Sequence, residues 1–167
     1  MKLTGERSER TPWYAAAVRV LGIDYGERRI GLALSDPTGL IASPWKKIDN
    51  DANVGAAAQR LGLEIDALVA EPDGLGAIVV GLPRRLNGED NDQTPRVRTL
   101  VELLARHTAI PIALQDERLT SREADDWLAQ RERDWRKRKR HVDAVAAAII
   151  LQDYLDSRAP RSPIPGP

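Results

Sequence analysis

The stretch Val18-Arg-Val-Leu-Gly-Ile-Asp-Tyr-Gly-Glu-Arg-Arg-Ile-Gly-Leu-Ala-Leu-Ser35 decides how the chain is read. Two apolar runs, 18–24 and 30–35, flank a turn that carries Gly26, the pattern of a β-hairpin. A weaker third strand is expected around 43–48. Beyond it Ala56, Ala57, Leu61, Ile65, Leu68 and Val69 recur at near-helical spacing, predicting a helix over 53–70 that Pro72-Asp-Gly74 ends. Residues 77–82 are apolar on both faces, as a buried parallel strand should be. They run into a polar loop, 83–95, whose segment 84–94 is expected to be mobile and to border any site at that end of the sheet. Val97, Leu100, Val101 and Leu104 mark one helical face, 110–115 reads as the next strand, and Thr120-Ser-Arg-Glu123 has the form of a capping box opening a helix toward Gln130. A charged segment, 131–140, leads into a last helix at 142–155. The order predicts an α/β fold: a three-stranded antiparallel meander followed by parallel strands reached through right-handed crossovers, the mixed five-stranded sheet flanked by helices.

Composition narrows what such a domain can be. The chain has 167 residues, with 25 Lys and Arg balancing 25 Asp and Glu, enough length for one compact core. Zero cysteines exclude a disulfide scaffold, thiolate zinc or iron-sulfur sites and a Cys nucleophile. Two histidines, His107 and His141, leave little for a His-rich metal site. With no Phe, four Trp and three Tyr, a base-stacking sheet is not expected, and Trp127 and Trp135 are read as packing residues. The opening ten residues are polar where a secretory peptide has its apolar run, and no apolar stretch approaches the ~20 residues that span a bilayer, so a cytoplasmic location and no membrane partner are expected. Residues 1–17 read as an N-terminal extension and 18–157 as the folded domain. Residues 158–167, with four of the eleven prolines, read as a disordered tail.

Three places could carry chemistry. Asp143 is the only polar residue between Val142 and Leu151, in a helix apolar all round and therefore buried. A buried carboxylate needs a cation, a partner or a mouth to solvent, or else a place in the first helical turn, where the dipole favours it. Asp24 ends an apolar strand, where a β-turn also accepts Asp at its first position. Asp116-Glu117 ends a different strand. Only one of that pair should face a common site, because neighbouring strand residues point to opposite sides, and the residues alone do not choose between them. Carboxylates delivered at the C-terminal ends of strands, where open α/β sheets bind ligands, suit Mg²⁺ or Mn²⁺ and phosphoryl displacement. The run Arg131-Glu-Arg-Asp-Trp-Arg-Lys-Arg-Lys-Arg140 holds seven basic and two acidic residues. It reads either as a solvated face or, immediately before Asp143, as a track for a phosphate backbone, with Arg118, Arg138, Lys139 and Arg140 as candidate substrate contacts. His141 reads as an exposed helix-start residue rather than a proton shuttle.

Four segments, Leu21-Gly-Ile-Asp-Tyr-Gly-Glu-Arg-Arg-Ile-Gly-Leu-Ala-Leu-Ser-Asp36, Ile78-Val-Val-Gly-Leu-Pro83, Asp116-Glu-Arg-Leu-Thr-Ser121 and Val142-Asp-Ala-Val-Ala-Ala-Ala-Ile-Ile-Leu-Gln-Asp-Tyr-Leu155, resemble the YqgF-type family in order and spacing. The resemblance implies an RNase H-like fold, kinship with bacterial Holliday-junction resolvases, and a metal-dependent nuclease that processes the 5′ end of pre-16S rRNA. It implies Asp24, Glu117 and Asp143 as the catalytic and Mg²⁺- or Mn²⁺-binding triad, with structured RNA or branched DNA as partner and a monomer or homodimer as the working form. The loop after Pro83 departs from the family's usual Leu-Asn, and residues 1–17 have no counterpart. A sugar-kinase or chaperone-type ATPase, whose fold also opens on a strand-turn-strand Asp-x-Gly, would need a second domain and a second Gly-rich loop. A non-catalytic nucleic-acid-binding module on the same fold is the remaining alternative, and the three intact carboxylates speak against it.

Overall fold

The computed structural model describes residues 18–117 and 135–158, together with Asp126 and Gln130; of residues 135–143 only the backbone is described. Strands β1 (Arg19–Tyr25), β2 (Arg29–Ser35) and β3 (Ala42–Asp49) form the meander. Helix α1 (Val54–Ala70) leads to β4 (Leu75–Leu82), and α2 (Thr94–His107) leads to β5 (Ile112–Asp116). Helix α3 (Trp135–Arg158) closes the described chain. The sheet order is β3-β2-β1-β4-β5, with β2 antiparallel to both β1 and β3, and β4 parallel to both β1 and β5. This is the expected mixed five-stranded sheet flanked by helices.

Alternation along the strands divides the core into two layers. Leu21, Ile23, Ile30, Leu32, Ile78, Val80 and Leu82 face α1 and α2, meeting Leu61, Ile65, Leu68, Val97, Leu100 and Leu104. The opposite face presents Val20, Ala33, Ala77 and Val79 to Ala147, Ala148, Ile150, Leu151 and Tyr154 of α3. Helix α1 starts where Asn53 accepts a hydrogen bond from the Ala56 N–H at 3.0 Å, an N-cap. Gly74, at φ +58°, turns the chain into β4 with backbone geometry that favours glycine.

Several sequence expectations change. Helix α3 begins at Trp135 rather than 142: most of the basic run is helical, because Arg and Lys are good helix formers even without an apolar stripe. Asp143 is therefore well inside the helix, and the first-turn account of it, like the helix-start account of His141, does not hold. The helix also includes Arg158, one residue into the expected tail. Asp24 is not at a turn's first position, because it sits in the ladder opposite Gly31 and the turn closes between Gly26 and Arg29, N–H to carbonyl at 3.0 Å. The loop after β4 carries its own bonds. Its backbone closes from Arg85 N–H to the Glu89 carbonyl at 2.8 Å, Arg84 bridges to Asp90, Arg98 pairs with Asp90, and the buried Thr94 hydroxyl donates to the Pro83 carbonyl at 2.6 Å. The capping box at 120–123, Trp127, the extension 1–17 and residues 159–167 lie outside the described residues.

Candidate active site at the strand ends

The site is assembled by strand parity. On β1, Gly22 lies against Ala147 and Leu151 of α3, so Asp24, two residues on, belongs to the same face. On β4 the corresponding residue is Gly81, which lies against Ile150. On β5, Ala113 packs with the α3 layer while Ile112 packs with the α1 and α2 layer. Glu117 is even-spaced from Ala113 and continues the ladder, its N–H donating to the Leu82 carbonyl at 3.2 Å. It therefore falls on the α3 face and Asp116 on the other, the choice that the residues had left open.

Glu117 reaches back over β4 and meets Asp24. Burial pushes its pKa up to about 8, helped by the Asp24 charge, by a hydrogen bond that the protonated Glu117 donates to Asp24, and by the charge of Asp116. Two carboxyls from strands that are not neighbours thus meet, and the charge of one opposes ionisation of the other.

Helix α3 carries Asp143 toward the same end of the sheet. Gln152 accepts from the Ala42 N–H at 2.9 Å and donates to the Leu40 carbonyl at 2.9 Å, fixing the C-terminal part of α3 at the start of β3. That point lies beside the start of β1, where the Val20 N–H donates to the Ser35 hydroxyl at 2.8 Å. Travelling toward the N-terminus, α3 passes Gly22 at Leu151 and Ala147. Asp143 is one turn further on, at the level of the helix that approaches the carboxylate end. Its side chain is not among those described, and neither are those of Arg138, Lys139, Arg140 and His141, whose backbones occupy the preceding turns of α3. Arg118 lies outside the described residues.

The β1–β2 turn forms the rim. A cleft of about 400 Å³ is lined by Gly26, Glu27, Arg28 and Arg29. Asn50 holds the turn from below, its backbone N–H donating to the Arg28 carbonyl at 2.8 Å and its side-chain amide to the Gly26 carbonyl at 2.7 Å. Across the rim, Gln93 donates to Glu27 at 2.5 Å and Arg96 stands 3.6 Å from the same carboxylate, joining α2 to the hairpin. Asn50, Gln93, Gly22 and Gly81 were not singled out in the sequence. The two glycines carried a signal nonetheless, since a glycine inside an apolar strand marks close approach of another segment.

Such an arrangement, acidic residues at the C-terminal ends of β1 and β5 under a long C-terminal helix, defines a class. The fold is that of RuvC: the structure "T. thermophilus RuvC in complex with Holliday junction substrate" matches at a TM-score of 0.50 with 16% identity, covering 84% of this chain and 95% of that one. More closely, residues 18–157 match the RuvX family, described as Holliday junction resolvase, and the chain belongs to that family. Among its relatives, a protein of Maridesulfovibrio salexigens is 39% identical over 83% of this chain and 98% of its own length, and one of Chloroflexus aggregans is 43% identical over 83% and 94%. Both are named as candidate pre-16S rRNA nucleases.

Proposed function

We propose that this protein is a divalent-metal-dependent nuclease that hydrolyses phosphodiester bonds in structured RNA, acting at the 5′ end of pre-16S rRNA in the cytoplasm. The observation that carries the reading is the convergence of Glu117 and Asp24 at the strand ends, where Glu117 lies over Gly81 of β4 and meets Asp24. Family membership and the names of the relatives support the substrate. The donor set fits a hard cation: these are oxygen ligands, and two carboxyls held this close in a poorly solvated place need a positive charge or a proton between them. Asp24, Glu117 and Asp143 would hold Mg²⁺ or Mn²⁺, which supplies an activated water and neutralises charge on the leaving 3′-oxygen.

The chain's own residues do the rest. Asp24 and Glu117 come from rigid strands, so their relative position is set by the sheet before substrate arrives. Asp143 would complete the set from α3. Arg28, on the exposed turn, and the basic turns of α3 with Arg138, Lys139 and Arg140 would hold the phosphate backbone, as would Arg118, without reading sequence. Residues 18–157 would be the nuclease unit.

The test is cleavage with Mg²⁺ or Mn²⁺ on a panel comprising RNA with the 5′ leader of 16S rRNA, single strands and four-way DNA junctions. Leader-dependent RNA cutting that Asp24→Asn and Glu117→Gln each lower by more than ~100-fold, beyond the 10–100-fold typical of changes around a metal's ligands, is expected. Cutting confined to four-way junctions would move the substrate to branched DNA, and parental rates in both variants would remove the carboxylates from the mechanism.

A further inference from the structure

Asp24 stands on β1 and Glu117 immediately after β5, with β4 between the two strands. Adjacent strands are ~4.8 Å apart, so a side chain leaving β5 for β1 must cross the full width of β4. It crosses at Gly81. A Cβ built on Gly81 would lie 2.8 Å from the Glu117 carboxyl carbon and 2.7 Å from the Ile150 Cδ1, both inside van der Waals contact. Below this point β4 presents Ala77 and Val79, and α3 covers them. Of Ala77, Val79 and Gly81 on this face of β4, only Gly81 leaves the surface flat, and it lies beneath Glu117. Its φ is not in the left-handed region, so no turn or backbone strain requires a glycine there. What requires it is the space.

We infer that Gly81 is a positioning residue for the carboxylate pair: its missing side chain is the seat that lets Glu117 reach across the sheet to Asp24. This rests on the reading of Asp24 and Glu117 as metal-binding carboxylates. It explains how an acid can be drawn from the edge side of β4 and still act beside β1. It also distinguishes Gly81 from Gly22, whose absent Cβ makes room for α3 rather than for a carboxylate.

Because a Cβ at position 81 meets two groups, the two consequences separate experimentally. Ile150→Val deletes the Cδ1 that the new methyl would strike and leaves the conflict with Glu117. Parent, Gly81→Ala and the double variant Gly81→Ala/Ile150→Val are compared by Mn²⁺ titration calorimetry, thermal midpoint and steady-state cleavage. The double variant is expected to recover most of the thermal midpoint lost by Gly81→Ala. Its Mn²⁺ affinity should stay at least ~10-fold below the parent, as for other displaced ligands, with a matching fall in kcat and little change in KM. Mn²⁺ affinity and kcat within twofold of the parent in either variant, or full recovery of both by Ile150→Val, overturns the inference. Should neither variant fold, Gly81→Ala/Ile150→Val/Glu117→Ala decides: regained folding identifies Glu117 as the group displaced, and continued unfolding overturns the inference. Asp24→Asn and Glu117→Gln separate the two levels. If they lose cleavage while the Gly81 variants keep it, only the positioning role fails; if they cut at the parental rate, or the parent binds no Mn²⁺, the metal reading fails and takes this inference with it.

Discussion

The two faces of the sheet are built from different residues for different ends. Toward α1 and α2 the strands present Leu and Ile almost throughout, and the helices answer with Leu61, Ile65, Leu100 and Leu104. Toward α3 the strands interleave Val20 and Val79 with the small Gly22, Ala33, Ala77 and Gly81, and the helix answers with Ala147 and Ala148 beside Ile150, Leu151 and Tyr154. Large side chains hold helices away from a sheet and bury much apolar area. Small ones let a helix lie close, at the cost of that area. The first face is therefore the main source of stability, while the second brings Leu151 within a missing methyl of β1 and leaves room at its open end for two carboxyls. The contrast predicts that damage on one face will be read in stability and on the other in activity.

The largest effect on stability should come from Leu100→Ala. Leu100 is fully buried, and opening a cavity under it should cost ~2–5 kcal/mol, measured by denaturant unfolding. The folded fraction should still cut at a rate within a few-fold of the parent, because Leu100 lies on the face opposite the carboxyls. A loss of specific activity as large as the loss of stability would break the division between faces.

Next comes the reverse experiment on the other face, Gly22→Ala. The added methyl would lie 2.8 Å from the Leu151 Cβ and 3.0 Å from the Ala147 carbonyl oxygen, and backbone cannot yield as a side chain tip can. Overpacking of this kind costs ~1–3 kcal/mol. Here the activity should fall further than stability does, since α3 must move as a body and carries Asp143 with it. Equal activity per folded molecule would show that the register of α3 against β1 is not part of the site.

These two positions also mark what could be read in the sequence and what could not. The hairpin and the strand at 77–82 are legible as apolar runs bounded by polar turns, both crossover helices carry a helical period, and Asp24 stands out because it ends an apolar run. The start of α3 is not legible: 135–141 is charged on all sides, and a helix without an apolar stripe has no period to find. The choice of Glu117 over Asp116 needs the parity of β5, which begins two residues later than its apolar run suggests. The family resemblance supplied the choice where the residues were silent. Gly22 and Gly81 look like weak points of good strands until the segment that covers each is known. Their meaning lies in contacts with residues 36 or more positions away, which no local pattern contains.

The smallest effect is a change of slope with pH, and it sharpens the comparison because Glu117, which causes it, belongs to the α3 face. In the unfolded chain Glu117 should titrate near its ordinary 4.5; folded, burial first, then the charge of Asp24, the hydrogen bond to it and the charge of Asp116 raise it to about 8. A carboxyl whose folded pKa is raised binds its proton more tightly in the folded state. Its contribution is thus fully present below about pH 4.5 and is lost as pH rises through about 8, so metal-free stability should decline across that window. In Glu117→Gln the raised carboxyl is gone, and the decline should flatten, bringing the variant's thermal midpoint above the parent's at the alkaline end. Mn²⁺ added to the parent should flatten it too, because a cation then does for the two carboxyls what the proton on Glu117 did. Parallel midpoint profiles for parent and Glu117→Gln in chelator would mean that the proton between Asp24 and Glu117 is not what balances their charge, and the close approach of the two carboxyls would need another explanation.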